Sequence, residues 1–277
     1  MDIELLRTFL AVVRTRHFGR AADELCVTQA AVSARIRQLE KALGVRLFSR
    51  ARNNIQLTPE GRQLQKHAET IVQAWARARQ ETGLREEFSG GLALGAMWDL
   101  WETLLAGWLW RLRKTLPETA LQVEAGTRDL LLRRLMDGLI DLAILFEPPQ
   151  VPGLEIREQG ILKLVLVATQ PDITIEQAFD NGYIMVDWGP AFALDHARLF
   201  PDMPVPALRM NYAAMARRYL AQAEGSAYLA EQMLAAGSGG NTLYRVNRAP
   251  VIERPVFAVY RSGSDRADLV RQALALQ

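Results

Sequence analysis

Cysteine is nearly absent from these 277 residues, with Cys26 the one example, and that rules out an internal disulfide framework. Histidine is almost as scarce. His17, His67 and His196 are far apart in the chain, so neither a zinc pattern nor a Ser-His-Asp or Cys-His arrangement is suggested, and no glycine-rich loop ends in a phosphate-binding lysine. The expectation is a protein that is not an enzyme, with no catalytic residue, metal ligand or cofactor. Apolar runs of about eighteen residues are missing too, as is a basic, apolar and small-residue sequence at the start. We therefore expect a cytoplasmic protein with no membrane partner. Cys26 itself falls in a turn, where a small buried residue is the expected role.

Charge is unevenly distributed. Residues 1–66 carry twelve Lys and Arg against six Asp and Glu, hence +6, whereas the remaining 21 against 25 give −4. A basic N-terminal end implies an anionic partner. Asp2 can cap a helix whose Leu5, Leu6, Phe9, Val12 and Val13 make one apolar stripe. A shorter helix carries Ala21, Ala22 and Leu25, and Thr28 then opens a third after about three residues, the spacing of a helix-turn-helix. On that third helix Val32, Ile36 and Leu39 share one face, which turns Ala30, Ser33, Ala34 and Arg37 outward. Small side chains at the N-terminal end let a helix approach base edges in a major groove. Thr28, Gln29, Ala30 and Ser33 are the candidate base-reading positions, with Arg35 and Arg37 placed for phosphates.

The following "RLFSRARNNIQLT" reads as two short strands about the turn pair Asn53-Asn54, a wing with Arg46, Arg50 and Arg52 along its edge. Arg50, Arg52 and Asn53 join the candidate DNA contacts. Residues 1–61 resemble the winged helix-turn-helix of the LysR-type transcriptional regulators, through Ala21, Ala22, Leu25, Thr28-Gln29, Ala31-Val32-Ser33, Ile36, Leu39-Glu40, Leu43-Gly44, Leu47-Phe48, Arg50, Leu57-Thr58 and Gly61. Phrases such as "RTRHFGRAA" and "RARNNIQLTPEG" look closest to the HdfR-like branch of that family. His17-Phe18 replaces the family's common Ser-Phe pair, implying a different helix cap, and Ala34 replaces a frequent basic residue.

Leu64, Ala68, Ile71, Trp75 and Ala78 recur at steps of four and three and read as a dimerisation seam on a long helix. In the family such a helix pairs two copies on a partly palindromic double-stranded operator. Beyond it, strand-like runs at 92–97, 120–125 and 141–146 alternate with helical stretches at 99–114 and 127–138, implying a parallel sheet. Further apolar runs at 162–168, 183–188, 226–230 and 256–260 suggest a second α/β lobe, followed by a final helix from about Asp265. The expected division is residues 1–58, the DNA-binding domain; 59–89, the linker helix; and 90–277, the effector-binding domain. Within the last, lobe I is about 90–160 with 265–277 and lobe II about 161–264.

The fold class is thus α/β: winged helix-turn-helix, long linker helix, and a two-lobed domain resembling periplasmic binding proteins. Such sheets bind ligands at the carboxyl ends of their strands. Those ends give Met97, Trp98, Asp99, Trp101, Arg128, Phe146, Glu147, Asp187 and Trp188 as candidate effector contacts for an unidentified small molecule. Asp99 fits better as a helix cap, since Asp directly before an amphipathic helix is a preferred N-cap, and Trp108 and Trp110 are expected in the core. The resemblance implies a DNA-binding regulator acting as a homodimer or homotetramer, with RNA polymerase a further candidate partner. An alternative is a DNA-binding architectural or ligand-independent regulator whose effector domain is degenerate.

Overall fold

A computed structural model describes residues 2–51, 54–82, 88, 90–234 and 242–276. Arg52 and Asn53 lie outside the described residues, as does the side chain of Arg50. The chain divides into two compact units, Met1–Glu87 with Asp137–Leu139, and Phe88–Met136 with Ile140–Gln277.

In the first unit, α1 (Ile3–Thr15) begins where the Asp2 carboxylate accepts from the Glu4 N–H at 3.0 Å. Its face of Leu5, Leu6, Phe9 and Val12 packs against α2 (Phe18–Glu24) and α3 (Gln29–Leu43), burying Ala21, Ala22, Val32, Ile36 and Leu39 in one core. The close helix contact depends on the two alanines. α2 has an unusual start: His17 Nδ1 accepts from the N–H groups of Gly19, at 3.0 Å, and Arg20, at 3.3 Å. A side chain at residue 19 would place its Cβ 3.0 Å from the imidazole, so the glycine lets the ring fold back over the helix start. We expect His17→Ala to lower the urea midpoint by the equivalent of about 1 kcal/mol, with His17→Asp retaining most of the stability, because the acceptor rather than the ring makes the cap.

Cys26 departs from expectation. It is exposed, with φ +52° in the turn between α2 and α3. The wing consists of β1 (Phe48–Ala51) and β2 (Asn54–Leu57), paired antiparallel. It leads into α4 (Pro59–Thr82).

The seam reading needs correction in its first half. Ala68 is fully buried, and it, Leu64 and Val72 pack into the core formed by α1, α2 and α3. The reason is the packing of α4 on α1, which uses the same helical face nearest the head. Ile71, Trp75 and Ala78 remain exposed, Trp75 at 48 %, and with Asp2, Ile3 and Leu6 they border an open apolar groove of about 610 Å³.

In the second unit the strands are β3 (Gly90–Ala96), β4 (Thr119–Ala125), β5 (Leu142–Leu145), β6 (Leu154–Ala168), β7 (Tyr183–Val186), β8 (Leu208–Met210), β9 (Ser226–Ala230), β10 (Tyr244–Arg245) and β11 (Ile252–Arg261). Among the described residues they form one nine-stranded sheet in the order β4-β3-β5-β11-β6-β9-β7-β8, with β10 on β6. β3 runs parallel to β4 and β5, giving the expected first lobe, and β7 runs parallel to β8 and β9. The long β6 and β11 pair antiparallel and join the two parallel sets. The two lobes are thus joined by these crossing strands within one continuous sheet.

The helices of this unit are α5 (Trp98–Leu100), continued through a π-helical turn at Trp101–Leu105 into α6 (Ala106–Thr115), then α7 (Arg128–Met136), α8 (Ile175–Asp180), α9 (Pro190–Leu199), α10 (Ala213–Leu220) and α11 (Ala267–Leu274). Trp108 is fully buried and donates from Nε1 to Ala273 O at 2.9 Å. Trp110, expected in the core with it, is 66 % exposed, with Lys114 Nζ 5.3 Å from its ring centroid. Two residues along a helix are about 200° apart, so both indoles cannot face the same core.

Candidate nucleic-acid interface and effector cleft

Thr28 Oγ1 accepts from the Ala31 N–H at 3.2 Å and fixes the start of α3. Gln29, Ala30, Ala34 and Arg37 are exposed and Ser33 is half-buried, while Val32, Ile36 and Leu39 anchor the opposite face. A narrow, uncovered helix tip follows directly from that division of side chains. Arg35, a candidate phosphate contact, also makes a bond inside the head. Half-buried, it donates from Nη1 to Thr8 Oγ1 at 3.3 Å, tying α3 to α1.

Glu40, also on α3, belongs to the motif, and the structure supplies its role. Its Oε1 accepts from the N–H of Leu47 at 2.8 Å and of Phe48 at 3.4 Å, so α3 carries the first strand of the wing. Thr58 closes the other side, donating from Oγ1 to Arg46 O at 2.7 Å and accepting from the Gly61 N–H at 3.0 Å. These bonds hold the base of the wing at a fixed place against the C-terminal part of α3 and the start of α4.

At the strand ends of the second unit, the structure sorts the nine candidates into four groups. Phe146 and Trp188 are buried, and their rings meet edge to face at 6.3 Å. Trp188 Nε1 donates to Tyr228 O at 2.9 Å. Neither offers a ligand an open surface, which corrects that expectation: a residue at a strand end still points into the core when its register alternates inward. Met97 and Trp101 are partly buried, Trp101 donating from Nε1 to Glu124 O at 2.9 Å. Trp98 and Asp187 are exposed.

The remaining three make polar bridges. Arg128 Nε donates to Glu147 O at 3.3 Å, and Glu147 pairs with the buried guanidinium of Arg254, a β11 residue that the sequence pattern hid within an apolar strand. Arg254 also donates from Nε to Trp188 O at 3.2 Å and sits 5.2 Å from the Phe146 ring centroid. Asp99 caps a helix, although not its own. Its Oδ1 accepts from the Ala213 N–H at 2.8 Å, at the start of α10 in the other lobe. Burial above all, then Glu102 and Asp187, push its pKa up to about 6 against the opposing effect of the Ala213 bond.

His196 lies on α9, buried among Phe179, Phe192, Phe200 and Tyr228, with Nε2 2.8 Å from Tyr183 Oη. Desolvation lowers its pKa to about 4, so it is neutral and structural. Among the described residues no group of three or more His, Cys, Asp or Glu could hold a metal ion, and no helix is long and apolar enough to cross a membrane.

Comparison with known proteins bears on both units. Residues 3–62 match the profile described as "Bacterial regulatory helix-turn-helix protein, lysR family", and residues 85–276 match "LysR substrate binding domain". The chain is 40 % identical, over 282 aligned positions covering 100 % of it and 98 % of the relative, to the HTH-type transcriptional regulator HdfR of Escherichia coli O7:K1 (strain IAI39 / ExPEC). The HdfR of Escherichia fergusonii is 39 % identical over the same shares. Among solved structures, CbnR, a LysR family transcriptional regulator, aligns with TM-score 0.78 at 20 % identity, covering 99 % of this chain and 98 % of the other. Full-length CbnR complexed with its target DNA gives 0.77 at 20 % identity, over 99 % of each chain. At that identity the likeness is one of fold.

Proposed function

This chain belongs to the LysR family of bacterial transcriptional regulators, and from that premise we propose how it reads DNA and answers a signal. It is a DNA-binding regulator with a substrate-binding domain, and its curated relatives are transcriptional regulators rather than enzymes. The tip of α3 enters the major groove, with Gln29 and Ser33 exchanging hydrogen bonds with bases and Ala30 allowing close approach. Arg37, Arg46, Arg50 and Arg52 supply the phosphate-facing charge. One observation carries the reading: the exposed, small-residue end of a capped helix, with a wing fixed to the same helix through Glu40.

A second copy fits the open apolar groove at Ile71, Trp75 and Ala78, giving a homodimer whose two reading helices meet a partly palindromic operator. Pairs of dimers form the tetramer, and RNA polymerase is the partner at a promoter. A small-molecule effector acts from the cleft of the two-lobed domain without further cofactor, in the cytoplasm. The ligand-independent reading keeps one observation in its favour, the direct Asp99–Ala213 bond across that cleft.

Selection from a random duplex pool tests the DNA reading. The expected product is an enriched inverted repeat bound by a dimer, and Ala30→Glu should weaken binding to it by about a hundredfold while leaving thermal unfolding unchanged, since one good base contact contributes about 1–3 kcal/mol and a carboxylate also repels the backbone. A pool that remains random after selection would contradict the proposal.

A further inference from the structure

α10 starts without a cap of its own. Its N-cap residue, Tyr212, supplies no side-chain acceptor, and the first N–H of the helix, that of Ala213, donates instead to Asp99 on α5. Asp99 is only 6 % exposed. Two neighbouring contacts join the same two lobes: the Tyr212 hydroxyl donates to Glu102 Oε1 at 2.8 Å, and the Tyr212 ring meets Trp98 edge to face at 6.4 Å. A carboxylate at a helix N-terminus is well placed, because unpaired N–H groups and the helix dipole both favour it. Here that carboxylate is part of the chain.

We infer that Asp99 is a tethered carboxylate latch: it caps the start of α10 from the other lobe, holds the two lobes together from within the chain, and closes more tightly as the medium acidifies. The charged and titratable groups about it are Glu102 on the following π-helical turn, Asp187 after β7 and Tyr212 before α10; Arg218 on α10 acts on Tyr212. Two carboxylates and burial therefore oppose the ionised form of Asp99.

The sign follows from linkage. With the latch closed, Asp99 titrates at about 6, whereas opening the lobes returns it to water and to the ordinary aspartate value near about 3.9. The closed form holds its proton more tightly, so closure gains as pH falls between these values and does not change above them. From about pH 7.5 to about pH 5 the closed-to-open ratio should rise roughly tenfold. An external carboxylate reaches the Ala213 N–H only when Asp99 is gone or withdrawn.

The inference rests on the two-lobed effector domain and not on DNA binding, so amide hydrogen exchange of the full chain, without DNA, tests it. After correction for intrinsic exchange rates, residues 212–216 of the wild type should gain roughly tenfold protection over that acidification. Asp99→Ala should lose the protection and recover it with added acetate, whereas Asp99→Asn, which keeps an acceptor, should remain protected with no pH dependence over the range. Unchanged protection in Asp99→Ala, no effect of acetate on that variant, or a wild-type pH response in Asp99→Asn would each overturn the latch. Thermal unfolding of the asparagine variant separates a misfolded chain from an unlatched one.

Discussion

Gly61→Ala is expected to destabilise the DNA-binding head by about 3 kcal/mol and to weaken specific DNA binding at least tenfold, more than any substitution on the exposed face of α3 would cost in stability. Gly61 sits in the first turn of α4, where a Cβ would lie 2.2 Å from the Leu47 carbonyl oxygen and 2.8 Å from Leu57 Cδ2. The nearest obstacle is backbone at the base of the wing, so no rotamer change relieves it. The wing or the helix must move. Thr58 spans the same junction, bonding both Arg46 and Gly61, so displacement there carries β1 and β2 away from the recognition helix. Urea unfolding of the full chain reads the stability loss, and gel-shift titration on a selected operator reads the binding. Gly107→Ala on α6 is the comparison, since the nearest atom its Cβ meets is the flexible end of Arg111 at 3.5 Å. That change should be neutral or slightly stabilising. Equal unfolding midpoints for the two variants would refute the argument from close approach.

Arg254→Ala should cost about 3–5 kcal/mol in the second unit. The guanidinium is 3 % exposed and serves three neighbours at once: the Glu147 carboxylate, the Trp188 carbonyl and the Phe146 ring. Removing it strands a partly buried carboxylate and an acceptor, and opens a void beside two packed aromatic rings. Glu147 follows β5 in the first lobe, Trp188 follows β7 in the second, and Arg254 lies on β11 between them. The loss therefore falls on the joint between lobes. The double variant Glu147→Leu with Arg254→Met should recover most of the stability, because a buried ion pair costs desolvation that well-packed apolar groups avoid. If the double variant is as unstable as Arg254→Ala alone, the lost packing rather than the stranded charge is responsible.

Where a structural rule operates over a few residues, the sequence was legible. Asp2 and Thr28 are caps because an acceptor stands directly before each apolar-periodic run, and β3, β4, β5 and β9 coincide with apolar runs between turn signals. Even the departure at His17 pointed to a changed cap, and the imidazole supplies it. β8 and β10 were missed because two or three residues are too few to show alternation. Trp110 and Ala68 were placed on the wrong side for another reason. Periodicity shows that a helix has an apolar face without saying which neighbour covers it, and α1 had already taken the part of α4 bearing Ala68.

From its sequence alone the protein has a capped reading helix, a basic head and two α/β lobes, since hydrophobic period, caps and charge are local and need no knowledge of neighbours. Tertiary structure alone decided what the polar side chains at the lobes do. Asp99 satisfies every local requirement of a cap and bonds an N–H 114 residues onward, while Glu147 meets a partner 107 residues away. Those pairings depend on how β6 and β11 bring the lobes together, and no short-range pattern contains that information.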